Sequence, residues 1–190
     1  MNAYDFDKTI FYPDSSFTFV KWLWRKYPLY GFISAIIGFF FLILYKLRLI
    51  SKTALKEKAF FIIKFVGDID GEVELFWNEN RQKLCRWYLD SKTDDDLIIS
   101  ASPEFLIKPM TDYLGVRLIA TPMDRKTSKI HGENCYGEEK PRRFYEEYPD
   151  GEVENFYSDS LSDAPMAKIA RKAFLVVDKG QRLVPWPEEK

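Results

Sequence analysis

The chain has 190 residues, of which 46% are hydrophobic, 30% charged and 17% aromatic, and its formal net charge is -1. Such values belong to a folded globular protein and set aside a disordered chain. The length supports one well-buried core plus a small accessory element, and a net charge near zero names no partner by itself. Cys85 and Cys135 stand far apart in no metal-ligand spacing, which fits a reduced compartment. The single histidine, His131, lies in a polar stretch and reads as a surface or structural residue.

In chain order, the first seven residues carry no basic n-region, and Asp5 and Asp7 interrupt the apolar run at once. No secretory signal is therefore read there, and the chain is expected to stay in the cytoplasm. Residues 2–6 are apolar enough for a strand. From 13 to 92 the pattern is all-helical. Between Phe11 and Val66, nine basic residues (Lys21, Arg25, Lys26, Lys46, Arg48, Lys52, Lys56, Lys58 and Lys64) face only Asp14 and Glu57, so the rest of the chain is correspondingly acidic. Within this segment residues 29–45 carry no charge, and as a helix these 17 residues reach about 25 Å. That length is marginal for a full membrane span, which takes about 20 residues. Aromatic and basic residues flank both ends, among them Trp22, Trp24, Tyr45, Lys46 and Arg48. The expectation is a shallow or re-entrant insertion into a membrane; the alternative is a helix buried in the accessory element or at a dimer interface.

After Asp94-Asp95-Asp96, read as a solvated turn, residues 97–101 form an unbroken apolar run ending at Ser100-Ala101. It predicts a buried parallel strand, followed by a helix that Pro103 opens and Ser102 caps. Further strands are predicted over 117–121, 155–159 and 174–177, and helices over 103–114, 139–148 and 163–172. Strand–helix alternation predicts an α/β fold with a doubly wound parallel sheet. The core is expected from residues 1–12 plus 93–190, with residues 13–92 inserted after the first strand.

Several polar residues fall where such a sheet binds ligands, beyond the carboxyl ends of its strands. Asp5 and Asp7 are two apart and so point the same way from a strand. A pair of this kind can divide labour, one carboxylate attacking and the other moving protons. Ser100 ends a strand with a hydroxyl suited to a phosphoryl oxygen. Lys140, at a helix start after Gly137-Glu138-Glu139, can neutralise charge on a transferring phosphoryl group. Lys126 and Lys129 compete for that role but lie in a charged loop. Asp159 and Asp163 follow another strand, and their hard oxygens suit Mg²⁺.

The order Asp5-x-Asp7-x-Thr9, Ser100, Lys140, Asp159-x-x-x-Asp163 resembles the haloacid dehalogenase superfamily of phosphohydrolases. The helical insertion resembles that of its phosphoserine-phosphatase-like branch. Ile99-Ser100-Ala101-Ser102-Pro103, Gly137-Glu138-Glu139-Lys140, Tyr157-Ser158-Asp159-Ser160 and the apolar basic insertion look most like the bacterial phosphatidylglycerophosphatase C type. The resemblance implies a Mg²⁺-dependent phosphatase working through an aspartyl phosphate. It makes Asp5 the nucleophile and a metal ligand, and Asp7 the acid–base group and a carbonyl ligand of the metal. Ser100, Ala101 and Lys140 would hold the phosphoryl group, with Thr9 buttressing the loop at the substrate side. Asp159 would ligate the metal directly, and Asp163 directly or through water. The apolar, basic insertion favours a lipid phosphate such as phosphatidylglycerophosphate, met at an anionic surface on the cytoplasmic face of the inner membrane. Two other readings stand beside this one: a soluble phosphomonoesterase of small metabolites, with a homodimer covering the apolar helix, and a non-catalytic membrane-binding protein. No nucleic-acid motif is present.

Overall fold

The computed structural model of the protein describes residues 1–187, so the last three residues of the expected core segment lie outside it. Six strands form one sheet in the order β3-β2-β1-β4-β5-β6. The central strand β1 (Asn2–Tyr4) pairs in parallel with β2 (Leu97–Pro103) through Ala3 and Leu97, and with β4 (Val153–Ser158) through Ala3 and Phe156. β3 (Arg117–Thr121) and β5 (Ala170–Val177) extend the parallel sheet on either side. A parallel sheet must be covered on both faces. One face lies under α7 (Glu139–Glu147) and α8 (Ala164–Ile169), with Phe144, Met166, Ile99 and Phe156 at its centre. The other lies under α6 (Glu104–Leu114) and helices inserted between β1 and β2.

Three details differ from expectation. The helix expected over 163–172 stops at Ile169, because Ala170 already pairs with Val153 and starts β5; sheet pairing there wins over helical propensity. A final strand, β6 (Arg182–Pro185), runs antiparallel to β5 after a turn with left-handed Asp178, Lys179 and Gly180. It is short and ends in proline, which suits a sheet edge. Asp96 is not solvated: it is fully buried and its carboxylate accepts from the Thr93 N–H and hydroxyl (3.0 and 2.9 Å), closing the turn into β2.

The insertion contains α1 (Ser15–Lys26), α2 (Pro28–Lys46), α3 (Lys52–Ala59), α4 (Ile69–Asn80) and α5 (Arg86–Ser91). Asp14, Ser51 and Asp68 cap α1, α3 and α4 by accepting from Phe17, Ala54 and Gly71 N–H groups. α1 turns Phe19, Val20 and Leu23 inward, and Phe19 meets Phe76 of α4 edge-on at 5.2 Å. Trp77 of α4 donates to the Leu106 carbonyl of α6 (2.6 Å), and Tyr88 of α5 packs edge-on against Tyr4 of β1 at 4.9 Å. The insertion and the sheet therefore share one hydrophobic cluster.

α2 stands apart from this packing. Of its 19 residues only Gly31 and Ser34 are buried, while Phe32 and Phe39 are 68% and 67% exposed. It is not a buried helix of the monomer, and it is long and apolar enough to cross a membrane, with a mean hydropathy of 2.0. Its contact with α1 depends on Gly31, where an added Cβ would lie 2.8 Å from Trp24 Cα; at Gly38 the same atom meets open space. Opposite effects are expected for the same substitution. Gly31→Ala should lower the melting temperature, its clash outweighing the roughly 1 kcal/mol that alanine gains in helix propensity, whereas Gly38→Ala should raise it. Thermal unfolding of both variants checks the pair.

Candidate active site

The Asp5 N–H donates to the Tyr157 carbonyl (2.8 Å), prolonging the β1–β4 ladder by one residue and holding Asp5 at the end of the sheet. The chain then folds back on itself. Ile10 and Phe11 N–H groups both donate to the Phe6 carbonyl (3.1 and 3.0 Å), and the Lys8 N–H donates to Phe11 (2.7 Å). Lys8 takes a left-handed φ of 59°, a local cost accepted at this tight turn. Its consequence is that Asp5 and Asp7 both line one cavity of about 390 Å³.

Lys140 enters from the first turn of α7, behind Gly137 with its φ of 60°. Its ammonium is buried and donates to Asp5 Oδ1 and Asp163 Oδ2, each at 2.7 Å. Ser158 at the end of β4 donates to the same Asp163 oxygen, also at 2.7 Å. Burial alone would lower the Lys140 pKa, but the two carboxylates hold it above its ordinary value. Burial, aided by the Asp163 charge, raises Asp5 even against the pull of Lys140.

Asp7 lies in a different environment. Its Oδ1 accepts from the Ser15 N–H at the start of α1 (2.5 Å), and its Oδ2 accepts from the Ser102 hydroxyl. Burial, and then the charge of Asp14, push Asp7 up to about 6, while those two hydrogen bonds hold it down. Opposite, Lys56 of α3 donates to the Ala101 carbonyl and to Asn134 Oδ1 (3.1 Å). Thr121 Oγ1 of β3 lies against the same pair, 2.7 Å from the Ala101 carbonyl and 2.9 Å from Asn134 Oδ1. Burial pulls the Lys56 ammonium down to about 8, against Asp7 and Asp14.

Of the residues read from sequence, Asp5, Asp7, Ala101, Lys140, Asp159 and Asp163 line the cavity together. Thr9 and Ser100 do not reach it. Thr9 is buried beneath, making a long 3.4 Å contact to Asp5 Oδ2 and accepting from the Asp159 N–H (2.9 Å), so it ties the first loop to the one after β4. Ser100 Oγ turns back to accept from the Ser102 N–H (3.0 Å). The β2–β3 register breaks between Ile99 and Pro103, so the alternation that would aim Ser100 outward does not hold. Ser102, expected to cap α6, serves Asp7 instead, and Pro103 occupies the cap position without a side-chain bond. Lys129 pairs with Glu57 (3.1 Å), and neither it nor Lys126 lines the cavity. Sequence reading did not single out Lys56, Asn134 or Ser102 as site residues. Lys56 carried a faint signal, four residues after Lys52 and so on one face of α3; Asn134 carried none.

Among the described residues no three His, Cys, Asp or Glu side chains are spaced to hold a metal by themselves. Asp5 and Asp159 nevertheless line the same cavity, and burial is the first cause raising Asp5, Asp7 and Asp159 alike. The hard carboxylate oxygens of Asp5 and Asp159 on one cavity fit Mg²⁺, which is content with one or two carboxylates, water and phosphate oxygens.

A strand-end carboxylate pair, one member bonded to a buried lysine, lies at the mouth of a mostly parallel α/β sheet, where such folds bind ligands. Residues 3–168 match the family model for haloacid dehalogenase-like hydrolases, and the chain belongs to that family. No curated protein matches it by sequence. Its fold is similar to that of a protein of unknown function from Bordetella pertussis Tohama I, with a TM-score of 0.76 and 20% identity over 91% of this chain and 87% of that one. A phosphoserine phosphohydrolase-like protein from Francisella tularensis subsp. tularensis SCHU S4 is similar with a TM-score of 0.59 and 19% identity, over 91% and 86%. Cytosolic 5'-nucleotidase IIIB bound to cytidine gives 0.54 and 13%, over 89% and 68%. At these identities the likeness is one of fold.

Removing Lys140 leaves two buried carboxylates facing each other. In chelator at pH 8, Lys140→Met should cost about 3–5 kcal/mol of stability. The sign with pH follows from the raised Asp5: the folded state holds a proton that the unfolded state releases, so stability falls as pH rises through the acid range. The deficit of the variant should therefore shrink toward pH 5, as read by urea unfolding at both pH values.

Proposed function

We propose that the protein is a Mg²⁺-dependent phosphomonoesterase with Asp5 as its nucleophile, acting on a lipid phosphate at a membrane surface. The observation that carries the chemistry is the pairing of two carboxylates in unlike environments at one strand end. Asp5 is anchored by Lys140 through Oδ1, which leaves Oδ2 with only the long Thr9 contact. Burial and the Asp14 charge raise Asp7 to about 6, which suits a group that gives and then takes a proton.

In the first step an Asp5 oxygen attacks phosphorus, the P–O bond to the leaving group breaks, and Asp7 protonates the departing alkoxide. In the second, Asp7 takes a proton from water, the resulting hydroxide oxygen bonds to phosphorus, and the bond to Asp5 breaks, releasing inorganic phosphate. Lys140 neutralises the nucleophile and the phosphoryl oxygens throughout. Asp163 and Ser158 act on Lys140, fixing where its ammonium sits. Asp5, Asp159 and the Asp7 carbonyl would hold Mg²⁺, which when bound supplies charge stabilisation to the phosphoryl group.

The lipid reading rests on α2. A row of exposed Phe, Leu and Ile is costly in water, and the adjoining basic residues suit an anionic surface, each contributing about 1 kcal/mol. Phosphatidylglycerophosphate is the leading substrate, through the motif resemblance. A soluble-metabolite phosphatase, with the same apolar face covered by a second copy, is the competing reading.

The test is Mg²⁺-dependent phosphate release from phosphatidylglycerophosphate in mixed micelles, beside a panel of soluble phosphomonoesters. Asp5→Asn should lose on the order of 10³-fold or more in kcat. Turnover of soluble esters alone would end the lipid reading while leaving the nucleophile in place. Phe32→Glu with Phe39→Glu should abolish sedimentation with anionic vesicles and leave turnover of a soluble ester unchanged; vesicle binding retained in that variant would sink the surface role of α2.

A further inference from the structure

A second cavity, about 380 Å³, lies between α1, α2 and α3. Its volume falls in the range of ligand sites, about 300–1,000 Å³. The walls are apolar, with Val20, Leu42, Leu55 and Phe60 among them. It adjoins the catalytic cavity, since Asp14, Ser16, Leu55, Lys56 and Ala59 line both. Lys56 marks the junction: its ammonium faces the catalytic side at Ala101 and Asn134, while its methylene stem is placed to cover the apolar side.

The polar groups of Trp24 and Ser34, two of the lining residues, are themselves closed off from solvent, so they leave the inner surface of the cavity apolar. The outer rim is formed by Phe17 and Leu42, 62% and 39% exposed, beside the apolar surface of α2.

We propose that this cavity is the acyl subsite of the enzyme: it seats the fatty chain of a phosphorylated lipid whose phosphate lies at Asp5. The subsite rests on the phosphomonoesterase reading for the position of the phosphate. It makes the contact with lipid a matter of a single chain drawn between helices as well as adsorption of α2 to a surface. The catalytic cavity carries Asp5, Asp7, Asp159, Asp163, Lys52 and Lys140 on its walls, so the main gain with chain length belongs to the adjoining apolar cavity.

The experiment measures binding of a series of n-alkylphosphonates, which cannot be hydrolysed, to the full chain with Mg²⁺ by calorimetry, below their micelle concentrations. Wild-type affinity should rise about threefold per methylene from butyl toward decyl. Gly38→Phe, which adds a ring where an added Cβ meets nothing within 4 Å, should bind butylphosphonate as wild type does and lose the chain-length gain. Leu42→Trp fills the cavity from the rim and should behave alike, which guards against misfolding of the first variant. A wild-type affinity that does not change with chain length, or a gain that survives in both filled variants, would overturn the subsite. The two readings fail separately: butyl phosphate turned over without any chain-length gain sinks the subsite alone, and a chain-length gain in phosphonate binding with no turnover of any phosphate ester sinks the phosphatase alone.

Discussion

The buried ammonium of Lys140 is the interaction on which the rest of the site depends. It joins Asp5 after β1, Asp163 after β4 and the first turn of α7 through two 2.7 Å contacts. Three charges out of water are costly, and a well-packed apolar trio of similar volume would serve stability equally or better. Lys140 is therefore best understood through what it does to Asp5. It opposes the burial that would neutralise Asp5, and it engages one oxygen while the other keeps only the long Thr9 contact. Everything around it serves placement: the Ser158 hydroxyl on Asp163, the Thr9 bridge to Asp159, and the folded-back turn of residues 6–11.

The other half of the molecule contributes reach. α3 sends Lys56 to the rim of the catalytic cavity, and α1 supplies the Ser15 N–H to Asp7, so the insertion holds part of the polar site as well as covering it. Its basic residues divide by position. Lys52 and Lys56 line the cavity, whereas Arg25, Lys46 and Arg48 lie outside it at the ends of α1 and α2. The two cavities meet at Lys56, so one side chain touches both the charged and the apolar environment.

The alternation of apolar runs with helical patterns was enough to read a parallel α/β sheet, because parallel strands buried on both faces need continuous apolar sequence, as in residues 97–99. The spacing of Asp5 and Asp7, and the placement of Lys140, Asp159 and Asp163 after strands or at a helix start, were legible for a similar reason: ligands gather at strand ends whatever the side-chain details. The apolar character of residues 29–45 was equally plain.

What the sequence by itself determined, then, was which residues stand at strand ends and which helix has no polar face, since both follow from local pattern. Only the tertiary structure decided where side chains point and what covers them. The register break in β2 turned Ser100 inward and assigned Ser102 to Asp7, a pairing 95 residues apart that no local pattern records. Asn134 and Lys56 came together through α3 and the loop after β3, 78 positions distant. β6 pairs with the open edge of β5, and at Gly31 α2 comes too close to Trp24 of α1 for a side chain to fit. Each of these is set by contacts between distant segments, whose energies depend on the assembled core and not on the residues in sequence order.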